Sequence, residues 1–277
     1  MSQPTTRPGT PPRAPQDRVY LDHAATTPMH PEAITVMAEQ LARVGNPSSL
    51  HASGRAARRV VEESREAIAR AVNARPGEVV FTSGGTESDN LAVKGLYWSR
   101  RAEDPRRTRI LSTAVEHHAV LDTLQWLEEE GAEVELLPVN RCGRLELDAL
   151  RESIGRDPGS VALVSVMWAN NEVGTVQPVR EVVEIAHAHG VPVHTDAVQA
   201  VGKVPVAFRD REVSLMTVAA HKLQTLTSGL KRRAAPLAAS QKEAKCPSSR
   251  PRAVPKSASR SPEPAKSPAP PPANATA

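Results

Sequence analysis

Apolar positions along the chain recur with two different periods. Pro31 opens a stretch in which Ile34, Met37, Ala38 and Leu41 stand three or four residues apart, the spacing that collects side chains on one face of a helix. Ala57, Val60, Val61, Ser64 and Ile68 make a second stripe of the same kind. Short β-branched runs then predict six strands, at Glu78–Thr82, Arg109–Thr113, Glu133–Pro138, Val161–Met167, Val191–Thr195 and Leu215–Ala219. Helical periodicity fills most of the intervals, at Glu87–Trp98, Ala119–Glu130, Leu147–Ile154 and Val179–His189, and Gly190 stands where a glycine ends a helix. Strands alternating with helices predict an α/β domain, a mostly parallel sheet with helices on both faces. Ligands of such sheets lie outside the carboxyl ends of the strands, so the residues just after each strand carry the functional reading.

The pattern stops within a few residues of Lys222. Residues 224–277 hold 10 of the chain's 25 prolines, and Ala, Ser, Lys and Arg fill most of the rest. Such a segment cannot bury enough apolar area to offset the entropy of ordering it. Residues 1–18 are rich in Pro, Thr and Arg and lack the apolar core of a signal peptide. The expected organisation is a disordered leader (1–18), an α/β domain (19–223) and a basic, disordered tail (224–277).

Charge follows the same division. The tail carries 10 of the 35 Lys and Arg but only 2 of the 31 Asp and Glu, so the net +4 conceals an acidic body and a basic tail. A basic tail suits nucleic acid or an anionic surface. This one has no aromatic residue to stack on bases, so a solvated tail is the expectation and nucleic acid is not an expected partner. No run of about 18 apolar residues is present, so no membrane span is expected. Two cysteines, Cys142 and Cys246, are too few for a disulfide framework, and a reducing cytoplasm is the expected location.

The strand ends carry a set of parts. Thr82-Ser83-Gly84-Gly85-Thr86-Glu87 leads into a helix, where glycines and free N–H groups suit a phosphate, although taken alone an ordinary strand-to-helix turn is the favoured reading. Glu116-His117-His118 follows the next strand; a histidine there is a surface residue, a stacking partner for a flat ring, or a proton carrier. Asn170-Asn171 offers two amides that fix a ring substituent or simply form a turn. Asp196, after the fifth predicted strand, is a carboxylate that needs a partner if buried, and a protonated pyridine nitrogen would be one. Lys222, after the sixth, is an amine of the kind that Schiff-base chemistry uses when desolvated. None is specific alone. Together they supply a phosphate cup, a ring stacker, a ring-nitrogen acid and a Schiff-base lysine.

At this point the chain resembles a known family. Tyr20-Leu21-Asp22-His23-Ala24-Ala25-Thr26-Thr27-Pro28, Gly45-Asn46-Pro47-Ser48-Ser49 and Phe81-Thr82-Ser83-Gly84-Gly85-Thr86-Glu87-Ser88 look like segments of the cysteine desulfurases, which belong to the class V aminotransferases. Glu116-His117, Asn170-Asn171-Glu172, Asp196-Ala197-Val198-Gln199 and His221-Lys222 follow in the family's order, and selenocysteine lyases share most of these motifs. The resemblance covers about residues 19–223. It implies the large domain of the pyridoxal-phosphate-dependent transferase fold type I, and pyridoxal 5'-phosphate as cofactor. It also implies a reaction that takes L-cysteine, releases alanine and passes sulfur as a persulfide, for iron–sulfur cluster assembly or tRNA thiolation.

Roles are implied residue by residue. Lys222 would attach the cofactor and move the substrate Cα proton, and His117 would stack on the ring and assist. Asp196 would hold the ring nitrogen, Asn171 and Gln199 the ring hydroxyl, and Gly85, Thr86 and His221 the phosphate. The family often has Ser where this chain has Ala219, which removes one implied phosphate donor. A homodimer and a sulfur-acceptor protein are the implied partners.

The resemblance also implies parts that the residues after Lys222 do not match. The family continues with a glycine-rich segment into a seventh strand, which lies between the sixth and the first; here Leu223-Gln224-Thr225-Leu226 follows. Its sulfur-attacking cysteine lies far beyond the lysine, and neither Cys142 nor Cys246 has that context. The expectation is a fold incomplete at its C-terminal end and a chain without desulfurase turnover. A shifted reading frame near codon 223 would produce such a tail; a genuine disordered extension is the rival reading.

Overall fold

The structure, a computed structural model, describes residues 19–223. Its helices are α1 (Pro31–Leu41), α2 (Ala52–Ala71), α3 (Gly85–Glu103), α4 (His118–Glu129), α5 (Leu147–Arg156) and α6 (Val179–His187). Its strands are β1 (Arg109–Thr113), β2 (Glu133–Leu137), β3 (Val161–Ser165), β4 (Val193–Asp196) and β5 (Leu215–Thr217). They form one sheet in the order β2-β1-β3-β4-β5, and every neighbouring pair is parallel. The predicted leader, the predicted tail and Cys246 lie outside the described residues.

β3 is buried at all five positions, which suits its unbroken run Val-Ala-Leu-Val-Ser. A central parallel strand is covered on both faces and has no polar side. Side chains alternate across the sheet, so each strand feeds two cores. Ile110 and Leu163 pack with Val93 and Tyr97 of α3 and Leu124 of α4. Leu111 and Val164 pack with Leu150 and Ile154 of α5 and Val182 of α6.

This helix placement follows from handedness. β1 to β2 runs one way along the sheet through α4, whereas β2 to β3 and β3 to β4 run the other way through α5 and α6. Right-handed crossovers in opposite directions put their helices on opposite faces. The direction reverses between β1 and β3, and the crevice beyond their carboxyl ends is where a doubly wound sheet receives a ligand.

The α/β class and the parallel sheet with helices on both faces match the sequence expectation, and β1 has the expected bounds. Glu78–Thr82, the first expected strand, is a correction. Pro76–Glu78 forms a 3₁₀ turn, and the residues after it are extended without ladder bonds. A strand exists through its neighbour, and among the described residues nothing pairs with this segment. Val80 and Phe81 are 70% and 47% exposed, and the Val79 carbonyl accepts from the Arg65 guanidinium instead.

Smaller differences have local causes. β2 ends before Pro138, which has no N–H to donate. β4 begins at Val193 because Gly190, at φ +67°, ends the preceding helix and Val191 N–H closes on Ala186 O at 3.0 Å. β5 stops at Thr217 because Ala219 leads into a 3₁₀ turn over Ala220–Lys222. α1 is a helix over the expected stretch, yet its apolar stripe buries no residue.

Candidate functional site

A cavity of about 200 Å³ opens at the carboxyl ends of the strands. Gly85, Thr86, His117, Asn171, Asp196, Gln199, His221 and Lys222, the eight residues singled out from the sequence, all line it. They come from five separate stretches of chain, brought together because each follows or ends a strand, or opens a helix, on the same side of the sheet.

Gly85 and Thr86 are the first residues of the 19-residue α3. The first N–H groups of a helix have no partner within it, and the helix dipole adds positive potential there. A Cβ on Gly85 would lie 3.4 Å from Val198 Cγ2 and 3.5 Å from Ala219 Cβ, in ordinary van der Waals contact with the opposite wall. The Glu87 carboxylate folds back to accept the Ser83 N–H at 2.5 Å, which holds the turn.

His117 caps α4. Its Nδ1 accepts the Ala119 N–H at 3.1 Å, so in the neutral ring the proton sits on Nε2. The two adjacent amides divide their work. Asn170 builds the turn, accepting N–H groups of Glu172 and Val173 at 2.9 and 2.8 Å and donating to Val115 O at 2.9 Å. Asn171 lines the cavity, with its amide on Glu172 Oε1 at 2.8 Å.

Gln199 donates to Ala24 O at 2.8 Å and accepts from Lys203 Nζ. Thr27 donates both its N–H and its hydroxyl to His221 O, at 3.1 and 2.9 Å. The His-Ala-Ala-Thr-Thr segment is thereby strapped across the His221-Lys222 turn. Lys222 itself is only half-buried, because the 3₁₀ turn carries it clear of the sheet.

Carboxyl groups concentrate under the floor. Asp196 ends β4, is 5% exposed, and accepts the Val198 N–H at 2.8 Å. Burial pushes its pKa up, while the Val198 N–H, His117 and Lys222 pull it down. Glu116 is pushed up to about 8, chiefly by burial, against the Met167 N–H at 2.7 Å and the Thr113 hydroxyl at 3.1 Å. His194 is completely buried, which pushes its pKa down to about 4 and leaves it neutral.

Glu116 gives the fold a pH dependence. Its folded pKa lies above its unfolded one, so its contribution is fully present below the unfolded carboxyl range and is lost as pH rises through about 8. Each such group changes stability by at most roughly 1.4 kcal/mol per pH unit. Thermal melts should therefore show the chain most stable near pH 5 and less stable at pH 8. Glu116→Gln, which keeps the acceptor for Met167 N–H, should flatten that slope; a slope equal to wild type would show that other groups set it.

One ionisable cavity residue escaped the sequence reading. Asp89, on α3, lines the cavity and is 1% exposed. Its signal was present: Asp89, Val93 and Tyr97 are spaced by four residues and all three are buried, so an acid interrupts an apolar stripe. Cys142 does not line the cavity; it lies in the turn after β2, with its carbonyl accepting the Thr175 hydroxyl at 2.5 Å.

The arrangement offers an anion-binding helix end, an imidazole, buried acids and a primary amine around one small space. Comparison with known proteins places it in context. Residues 19–227 match the aminotransferase class-V family. An IscS-like cysteine desulfurase of Mycobacterium tuberculosis is 59% identical over 204 residues, 73% of this chain and 52% of that protein. Cysteine desulfurase IscS of Dictyoglomus turgidum is 44% identical over 74% of this chain and 50% of its own length. Among solved structures, SspA in complex with cysteine superposes with a TM-score of 0.69 at 33% identity, over 73% of this chain and 57% of that one. The chain thus spans about half the length of the curated relatives it matches.

Proposed function

Because the chain belongs to the aminotransferase class-V family, we propose that residues 19–223 form a domain that holds pyridoxal 5'-phosphate and serves cysteine desulfuration, with the leader and the tail outside that domain. The observation that carries this reading is the convergence of the eight residues on one cavity, with the amine of Lys222 and the buried carboxyl of Asp196 among its walls. The cavity's chemistry fits the group: a buried acid that accepts the Val198 N–H, and a long helix whose first residues, Gly85 and Thr86, line the cavity.

When bound, the cofactor supplies an electron sink for breaking bonds around the carbon that carries the substrate amine. The chain's own residues would do the rest. Gly85 and Thr86 would present the N–H groups of the α3 end to the phosphate, with His221 beside them. Asp196 would hold the ring nitrogen as a charge-assisted hydrogen bond. Asn171 and Gln199 would bond the ring oxygen. His117 would stack on the ring, with its Nε2 proton available. Lys222 would anchor the cofactor through its amine and carry a proton to and from the substrate Cα.

L-cysteine is the proposed substrate, which the cysteine-bound relative supports. A sulfur acceptor in iron–sulfur cluster assembly or tRNA thiolation, and a second copy of the chain, are the proposed partners. Thiol chemistry of this kind needs a reducing compartment, and the proposed location is the cytoplasm. Among the described residues no helix is long and apolar enough to cross a membrane.

A second reading rests on one observation: among the described residues no cysteine lines the cavity. Persulfide formation needs a thiolate at the substrate sulfur, so the chain would bind cofactor without desulfurating cysteine. Titration of the full chain with pyridoxal 5'-phosphate tests both. A new visible absorbance band, and a borohydride-reduced adduct on Lys222, are the expected results. Alanine and sulfide appearing on addition of L-cysteine favour the first reading, and their absence with cofactor bound favours the second. No band and no adduct would refute both.

A further inference from the structure

Two carboxyl groups, Asp89 and Asp196, line the same cavity, and their surroundings differ. Asp196 accepts the Val198 N–H at 2.8 Å, and His117 and Lys222 pull its pKa down. Among the described residues no cation faces Asp89. Its Oδ1 is buried without a hydrogen-bond partner, and the nearest basic atom is His194 Nε2 at 3.6 Å. That imidazole is already spoken for: Nδ1 pairs with Ser165 Oγ at 2.9 Å and Nε2 with Thr217 Oγ1 at 3.1 Å. The groups facing Asp89 are therefore a neutral His194, the Thr217 hydroxyl, and two further acids, Asp196 and Glu116. A buried acid beside like charge keeps its proton.

We propose that Asp89 is a positioning residue of the cofactor site, a neutral carboxylic acid on the same cavity as Asp196 whose retained proton leaves the negative charge on Asp196, where the ring nitrogen would meet it. This rests on the reading of the cavity as a pyridoxal-phosphate site. Two ionised carboxylates in one dry wall would repel, and the one without a cation gives way. Burial first, and the charge of Asp196 second, push Asp89 up to about 8, while the Thr217 hydroxyl pulls it down. Above that pH a second charge arrives beside Asp196 and disturbs its hold on the cofactor.

The test is a pH titration, from about 6 to 10, of the visible spectrum and cofactor affinity of the full chain loaded with pyridoxal 5'-phosphate. Asp89→Asn copies the shape of the neutral acid. Its affinity at pH 7 should stay within about threefold of wild type, since it keeps the state that exists there, and it should lose the alkaline step belonging to Asp89. Thr217→Val provides a second variant: removing a group that favours the ionised form should move the step to higher pH. A purely structural role would move neither profile. An unchanged alkaline step in Asp89→Asn, or an affinity loss above about tenfold at pH 7, overturns the proposal, the latter because it would mean that the charged form is the working one. A wild-type chain that takes up no cofactor overturns the site reading and this inference with it, whereas uptake with an unaltered profile overturns this inference alone.

Discussion

Lys222→Ala is expected to abolish borohydride-stable attachment of pyridoxal 5'-phosphate while leaving the melting temperature of the empty chain within about 2 °C of wild type. The first effect is all-or-none because, among the amines of the described residues, Lys222 alone lines the cavity. The second is small because the side chain is half-buried at the end of a 3₁₀ turn, and substitutions away from packed features shift stability by roughly 0.5 kcal/mol or less. Lys203 is the informative control. Its ammonium reaches Gln199 Oε1 from behind the cavity wall, and its pKa is lowered, first by burial and then by Lys222. Peptide mapping of the reduced adduct decides the matter: an adduct that survives Lys222→Ala and maps to Lys203 would reassign the anchoring amine. Affinity without covalent attachment should remain in the variant, since the helix end at Gly85 and Thr86 and the acid at Asp196 are untouched.

Leu163→Ala is expected to lower stability by roughly 2–5 kcal/mol, or about 4–20 °C in melting temperature. Leu163 is completely buried on β3, packed on the face that carries Val93, Tyr97 and Leu124. Removing its branch leaves a hole that close-packed helices on one side and a hydrogen-bonded sheet on the other fill only in part. The matched comparison is Ile34→Ala on α1, where the side chain is 53% exposed and the helix buries no residue, so the change should cost no more than about 0.5 kcal/mol. Denaturant midpoints of the two variants, measured side by side, would contradict the assignment of the core if Ile34→Ala proved the more damaging.

These two positions also show what the sequence made legible. The alternation of apolar runs and amphipathic stretches revealed the sheet, because β1, β3 and β4 are buried on both faces and their composition has no freedom to say otherwise. The cavity residues were readable for a related reason: they follow strands, and a parallel sheet brings strand ends to one side. What a period could not reveal was partnership. The stripe of Ile34, Met37 and Leu41 is a true helical stripe, yet nothing in a spacing says whether another surface covers it. Val79–Phe81 has strand composition without a neighbour to complete it. Asp89 was overlooked because a single acid in a helix is ordinarily a solvated residue; only its buried companions four and eight positions on, Val93 and Tyr97, make it exceptional. Lys222 shows the converse: the residue was found, although the chain leaves the expected strand two residues early.

The strap between Thr27 and His221 ties together positions 194 residues apart. Neighbouring strands of the sheet, by contrast, meet only a few tens of residues apart in sequence, as β1 does with β2. During synthesis or refolding the sheet can condense progressively, but the wall that contains Ala25 and Gln199 cannot close until the segment ending at Lys222 has arrived. Closing so long a loop adds little to the equilibrium cost, which grows only with the logarithm of its length, but it places the event late in time. The same bonds lie in exposed loops outside both apolar clusters, in the part of a structure that opens most readily. Closure of the cavity is thus the step expected last as the chain folds, and its opening the step expected first on warming.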